Sequence, residues 1–137
     1  MIDKLKEIAA KNNIQIIYGS LPINSDCTYV ESYDVKVIIV NEGIKDVRLE
    51  SEAIALGLGY SKAMKDLNIK VNQFNKVNKE DYKAVTKLAE EYQVEIMYNI
   101  NLELISEIIK DKTDEEKEEL AEDIVTNMIK NKDIKLK

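Results

Sequence analysis

Apolar positions along this chain alternate between two spacings, and the switches between them outline its elements. Ile2, Leu5, Ile8 and Ala9 recur at helical spacing, which predicts an amphipathic helix from residue 2 to about residue 12, closed by Asn12-Asn13. Ile14-Gln15-Ile16-Ile17-Tyr18 is β-branched and aromatic, as a strand requires, and Gly19-Ser20-Leu21-Pro22 breaks it. Cys27 to Glu31 and Val35 to Val40 read as two further strands around a short turn at Ser32-Tyr33-Asp34. Val37 to Val40 is apolar without interruption, which predicts burial on both faces.

Helical spacing then returns. Residues 45 to about 66 form a helix with two apolar faces, Val47, Ile54 and Leu58 on one, and Leu49, Ala53, Leu56, Tyr60, Ala63 and Leu67 on the other. Two apolar faces mark a central, buried helix. Gly57 and Gly59 stand in its middle, each at a cost of about 1 kcal/mol relative to alanine, so each requires a reason. A polar connection over 68–77 leads to a third helix on Tyr82, Val85, Ala89 and Tyr92, with Asn78 as N-cap. Residues 94–98 fit either a short strand or the end of that helix. Leu102, Ile105, Ile108 and Ile109 mark a fourth helix. Thr113-Asp114-Glu115-Glu116 is a capping box that opens a fifth, on Leu120, Ile124 and Met128, ending near Lys130 and Lys132. The expected fold is α+β: a small sheet of about three strands packed by a central helix, then a helical C-terminal part, all within one domain over 1–137.

Composition narrows the chemistry. The chain has no histidine and a single cysteine, Cys27. Ser/His/Asp and Cys/His catalysis are therefore excluded, and so is an intramolecular disulfide. Cys27 reads as a small buried apolar residue. Four scattered glycines form no phosphate loop. Carboxylate neighbours such as Glu50 and Glu52, or Glu90 and Glu91, read as solvated faces. No apolar run reaches the roughly 20 residues of a membrane span, and the N-terminus lacks the core of a secretion signal, so a cytoplasmic location is expected. The formal net charge of −6 disfavours direct contact with nucleic acid phosphates or anionic membranes.

One ordered set of segments resembles a known family. Leu21-Pro22, then Thr28-Tyr29-Val30, then Val37-Ile38-Ile39-Val40-Asn41-Glu42, then a helix with Ala55-Leu56-Gly57-Leu58-Gly59-Tyr60, follow the order found in the ImmA/IrrE-type metallopeptidases of phages and mobile elements. There the helix reads A-H-E-L-G-H; Ala55, Leu58 and Gly59 match it. Asp81-Tyr82-Lys83-Ala84 is similar to the acidic-x-x-Ala pattern that supplies the family's third zinc ligand. The resemblance covers roughly residues 1–90 and leaves 91–137 as a helical C-terminal extension. It implies a zincin-like fold.

The departures decide what the resemblance implies for activity. Zinc peptidases need two histidines at i and i+4 and a glutamate as general base. Leu56, Gly57 and Tyr60 occupy those positions and supply none of the three groups. The expectation is a catalytically inactive, metal-free and cofactor-free protein. It would bind another protein through the former metal groove around Leu56, Gly57, Tyr60 and Asp81. Because family peptidases cleave helix-turn-helix repressors, the resemblance implies a repressor or toxin-like partner. Read without the family, Leu56 and Tyr60 are core residues, and the two glycines mark close helix packing or a bend. A different class of function also fits: a small acidic phage-encoded inhibitor of a host nucleic-acid-binding protein, docking through Glu115, Glu116, Glu118 and Glu119.

Overall fold

The computed structural model describes residues 1–22, 24–69 and 78–130. Its elements follow the order α1 (Ile2–Lys11), β1 (Ile14–Gly19), β2 (Cys27–Ser32), β3 (Val35–Asn41), α2 (Val47–Asp66), α3 (Lys79–Ile109) and α4 (Asp114–Lys130). The fold is α+β. Contacts group the chain into two compact units, Met1–Asn101 and Leu102–Lys137.

In the first unit the sheet has the order β1-β3-β2. β2 and β3 form an antiparallel hairpin with Cys27 opposite Val40, and β1 joins the far edge of β3 in parallel, Ile16 beside Ile38. The two-residue turn places Tyr33 at φ 55°. Alternation along the strands then sorts the side chains. Ile14, Ile38, Val40, Cys27 and Tyr29 share the face that α1 and α2 cover, and Ile38 and Val40 are fully buried there. Val37, Ile39, Val30 and Ile17 share the opposite face.

That arrangement qualifies the expected double burial of β3. Its helix-facing residues are sealed, whereas Val37 and Ile39 are only half-buried. α1 and α2 cover the Ile38 side of the sheet: α1 contacts β1 and α2, and α2 contacts β2 and β3.

α2 starts at Val47 rather than residue 45, because the Asp46 side chain accepts a hydrogen bond from the Arg48 amide at 2.8 Å and caps it. Its middle is central and buried, with Ala53, Ile54, Ala55, Leu58 and Ala63 in the core. Its ends depart from the two-faced pattern: Val47, Leu49 and Leu67 are exposed.

The expected third and fourth helices are one helix. α3 runs unbroken for 31 residues, and residues 94–98 lie in its interior as helix. Nothing between Gln93 and Leu102 is a proline or glycine, so no breaker interrupts the ladder. Most of the polar connection, residues 70–77, falls outside the described residues, as does Lys132. In the second unit the capping box at α4 forms: the Glu116 amide donates to Thr113 Oγ1 at 3.2 Å, and the Thr113 hydroxyl donates to Glu116 Oε1 at 3.0 Å. Among the described residues no helix is long and apolar enough to cross a membrane.

Candidate functional site

The two mid-helix glycines of α2 explain how the site is built. A methyl group on Gly57 would approach Ile38 Cγ1 and Cγ2 to 2.7 Å, well inside van der Waals contact, so this glycine lets α2 settle onto β3. A methyl group on Gly59 would strike the Ala89 carbonyl oxygen, so this glycine lets α3 approach α2 backbone to backbone. Both glycines mark close packing.

Around the Gly59 contact, Ala63 and Met64 of α2 pack against Val85 and Ala89 of α3, and Leu56, Tyr60 and Tyr29 flank them half-buried. Polar contacts stitch the seam. The Tyr60 hydroxyl and Thr86 Oγ1 share a hydrogen bond of 3.1 Å. Gln93 Nε2 donates to the Glu52 carbonyl at 2.8 Å. The Tyr92 hydroxyl donates to Asp66, and the Lys62 ammonium lies 4.1 Å from the centre of the Tyr92 ring.

Of the four residues expected at the groove, the structure brings two together. Leu56 and Tyr60 share the α2 face that meets α3. Gly57 turns instead toward Ile38 of the sheet. Asp81 works at the start of α3: its amide donates to Asn78 Oδ1 at 2.8 Å, and its carboxylate accepts from Asn78 Nδ2 at 3.0 Å. Asn78 is thus the N-cap expected of it. The other expected face, Glu115, Glu116, Glu118 and Glu119, lies exposed on α4, with Glu116 engaged in the capping box.

The titration of the site follows from burial. Desolvation pushes the Tyr60 phenol above its ordinary range, opposed by the bond from Thr86 and reinforced by the neighbouring Tyr82. Tyr29 is raised too, first by burial, although Ser61 pulls the other way, and its hydroxyl donates to Glu31 at 2.9 Å. Burial lifts the Cys27 thiol to about 11, with the negative charge of Asp26 adding to it and a backbone hydrogen bond from Gly57 opposing it. At neutral pH all of these groups are protonated and uncharged.

This donor set does not fit a catalytic zinc ion. Leu56 and Gly57 offer no ligand atom, and the Tyr60 oxygen is a protonated phenol already bonded to Thr86. Among the described residues no three Cys, Asp or Glu side chains converge as a metal site would require. Beside the seam, Leu56 and Tyr60 form a half-buried strip of uncharged side chains that ends at Tyr82, which is 58% exposed.

Sequence reasoning missed Thr86 and Gln93. Tyr82, Thr86, Ala89 and Gln93 fall at i, i+4, i+7 and i+11, one helical stripe, and that spacing was the available signal. Comparison with family models, with curated proteins and with solved structures returns no match.

Proposed function

We propose that this chain is a catalytically inactive relative of the ImmA/IrrE-type metallopeptidases that works in the cytoplasm by binding another protein through the α2–α3 seam. The carrying observation is the uncharged strip of Leu56, Tyr60 and exposed Tyr82 on a chain in which 34% of residues are charged. Tyrosines with one apolar face and one polar tip are favoured anchors at protein interfaces. The element order, a helix, a strand, a hairpin and a central helix, also agrees with the order of segments on which the resemblance rests. The partner class is a helix-turn-helix repressor or a toxin-like protein.

The test is co-purification from the native host. Tyr82 is exposed, so Tyr82→Asp leaves the core untouched and is expected to abolish capture of the partner. A folded Tyr82→Asp protein that retains its partner would rule out this seam.

A second reading, an acidic inhibitor of a host nucleic-acid-binding protein, draws on the exposure of Glu115, Glu118 and Glu119 along one side of α4. It requires binding that weakens steeply with salt and disappears on charge reversal at those three residues. Binding indifferent to both would remove it.

A further inference from the structure

The two edges of the sheet differ in how they meet water. The edge strand β2 carries Glu31 and is bracketed by Asp26 and Asp34. The edge strand β1, Ile-Gln-Ile-Ile-Tyr-Gly, holds neither a charge nor a proline. Its register with β3 runs without a bulge from Ile14 beside Lys36 to Gly19 beside Asn41. Charge, proline and bulges keep edge strands from pairing with other chains, and β1 has none of them. One hydrogen bond fixes which of its main-chain groups are open. The Glu42 amide donates to the Gly19 carbonyl at 2.9 Å, so Gly19 turns its main chain toward β3. Main-chain direction alternates along a strand, so Gln15 and Ile17 turn the same way, and Ile16 and Tyr18 turn outward. Among the described residues no main-chain partner meets those two from outside.

We infer that β1 accepts an extended segment of another protein as a further strand of the sheet. The open groups select a strand, because N–H and C=O groups at strand spacing are matched by another extended main chain and not by a helix. The flanks select its side chains. On the outer face an added strand lies beside Ile17, which is 47% exposed, and an apolar β-branched residue fits there. On the helix-covered face it lies beside Tyr18, whose hydroxyl donates to Glu50 at 2.6 Å and whose ring centre is 5.7 Å from the Lys6 ammonium. Polar residues fit on that side, so the segment alternates apolar and polar positions. The β1 strand of a second copy is disfavoured, since each chain carries −6.

The test titrates the acetylated, amidated peptide Thr-Val-Thr-Val-Thr into the full chain, up to about 1 mM, and follows amide exchange by NMR. Saturable binding is expected, with exchange at the Ile16 and Tyr18 amides slowed by about tenfold or more. The same peptide N-methylated at every residue has no donors to give the edge and should not bind. Ile17→Lys places a charge on the edge and should weaken binding by about tenfold or more, with a thermal melt verifying that it folds. The inference is overturned by no saturable binding, by protection confined to β2, by equal binding of the N-methylated peptide, or by a folded Ile17→Lys variant of unchanged affinity. Protection of the same amides without peptide, at twice the 15.7 kDa mass, would give the edge to a second copy and overturn it too. Tyr82→Asp, the variant that tests the α2–α3 seam, should leave this binding unchanged, so the two readings fail separately.

Discussion

Gly57 and Gly59 set a local preference against packing, and packing wins. Alanine is the better helix former by about 1 kcal/mol, so on an exposed helix either substitution would stabilise. Here Gly57→Ala drives a methyl into the fully buried Ile38, and the expected outcome is a loss of about 1–3 kcal/mol in denaturant unfolding. The loss should shrink in an Ile38→Ala background, because the double mutant removes the atoms that collide; additive effects would contradict the contact. Gly59→Ala should cost more, since its obstacle is the Ala89 backbone, which cannot rotate aside. The sequence flagged both glycines as needing a reason but could not assign one, because the reason lies in residues 19 and 30 positions away. Cys27, expected as a buried apolar residue, is half-buried on the helix-covered face of β2. Its thiol, held to about 11, should react with a thiol reagent at pH 8 far more slowly in the folded chain than in denaturant. Equal rates would refute the raised thiol. Tyr18 gives a pH dependence. Burial and its hydrogen bond to Glu50 raise it to about 12, against about 10 unfolded. A raised acid favours the folded state in its protonated form. That contribution is complete below pH 10 and is lost between pH 10 and 12. Tyr18→Phe should therefore flatten the alkaline limb of an unfolding titration.

At the scale of elements, local signals located the strands and the helix starts, and failed where an element's end depended on the absence of a signal. The β2–β3 hairpin was legible from β-branched residues on either side of Tyr33-Asp34, and α4 from its capping box. α3 was split in two because Val94, Ile96 and Tyr98, β-branched or aromatic at every second position, suit a short strand, although Val85, Ala89 and Ile100 keep one helical phase across them. The ladder itself continues through them for about 46 Å. The hairpin turn holds a testable misfit. Tyr33 adopts φ 55°, a conformation glycine takes without penalty and other residues resist by about 1 kcal/mol or more. Tyr33 is 76% exposed, so its side chain contributes little packing. Tyr33→Gly should stabilise the protein by roughly 1 kcal/mol in chemical denaturation. A destabilised variant would indicate that the ring has a role the backbone conceals. At α4, Thr113→Ala removes one half of the capping box and should cost about 1 kcal/mol, seen as faster amide exchange in the first turn of that helix.

For the whole molecule, composition set the class and connectivity decided the rest. A small sheet covered by a central helix followed from the order of strand and helix signals. Which side of β3 is sealed did not, because an uninterrupted apolar strand carries no alternation from which to read a face. Nor could the candidate groove be completed from spacing: Asp81 shares a helix with Thr86, yet one bonds to the N-cap Asn78 and the other to Tyr60. The strand order has a consequence of its own for synthesis. Among the described residues β1 pairs with β3 alone, and in parallel, so its strand neighbour is translated after the whole of β2. The hairpin can close within microseconds of leaving the ribosome, since its partners are adjacent in the chain. The N-terminal strand must wait for that hairpin to supply a free edge, and it docks as a latecomer although it was made first.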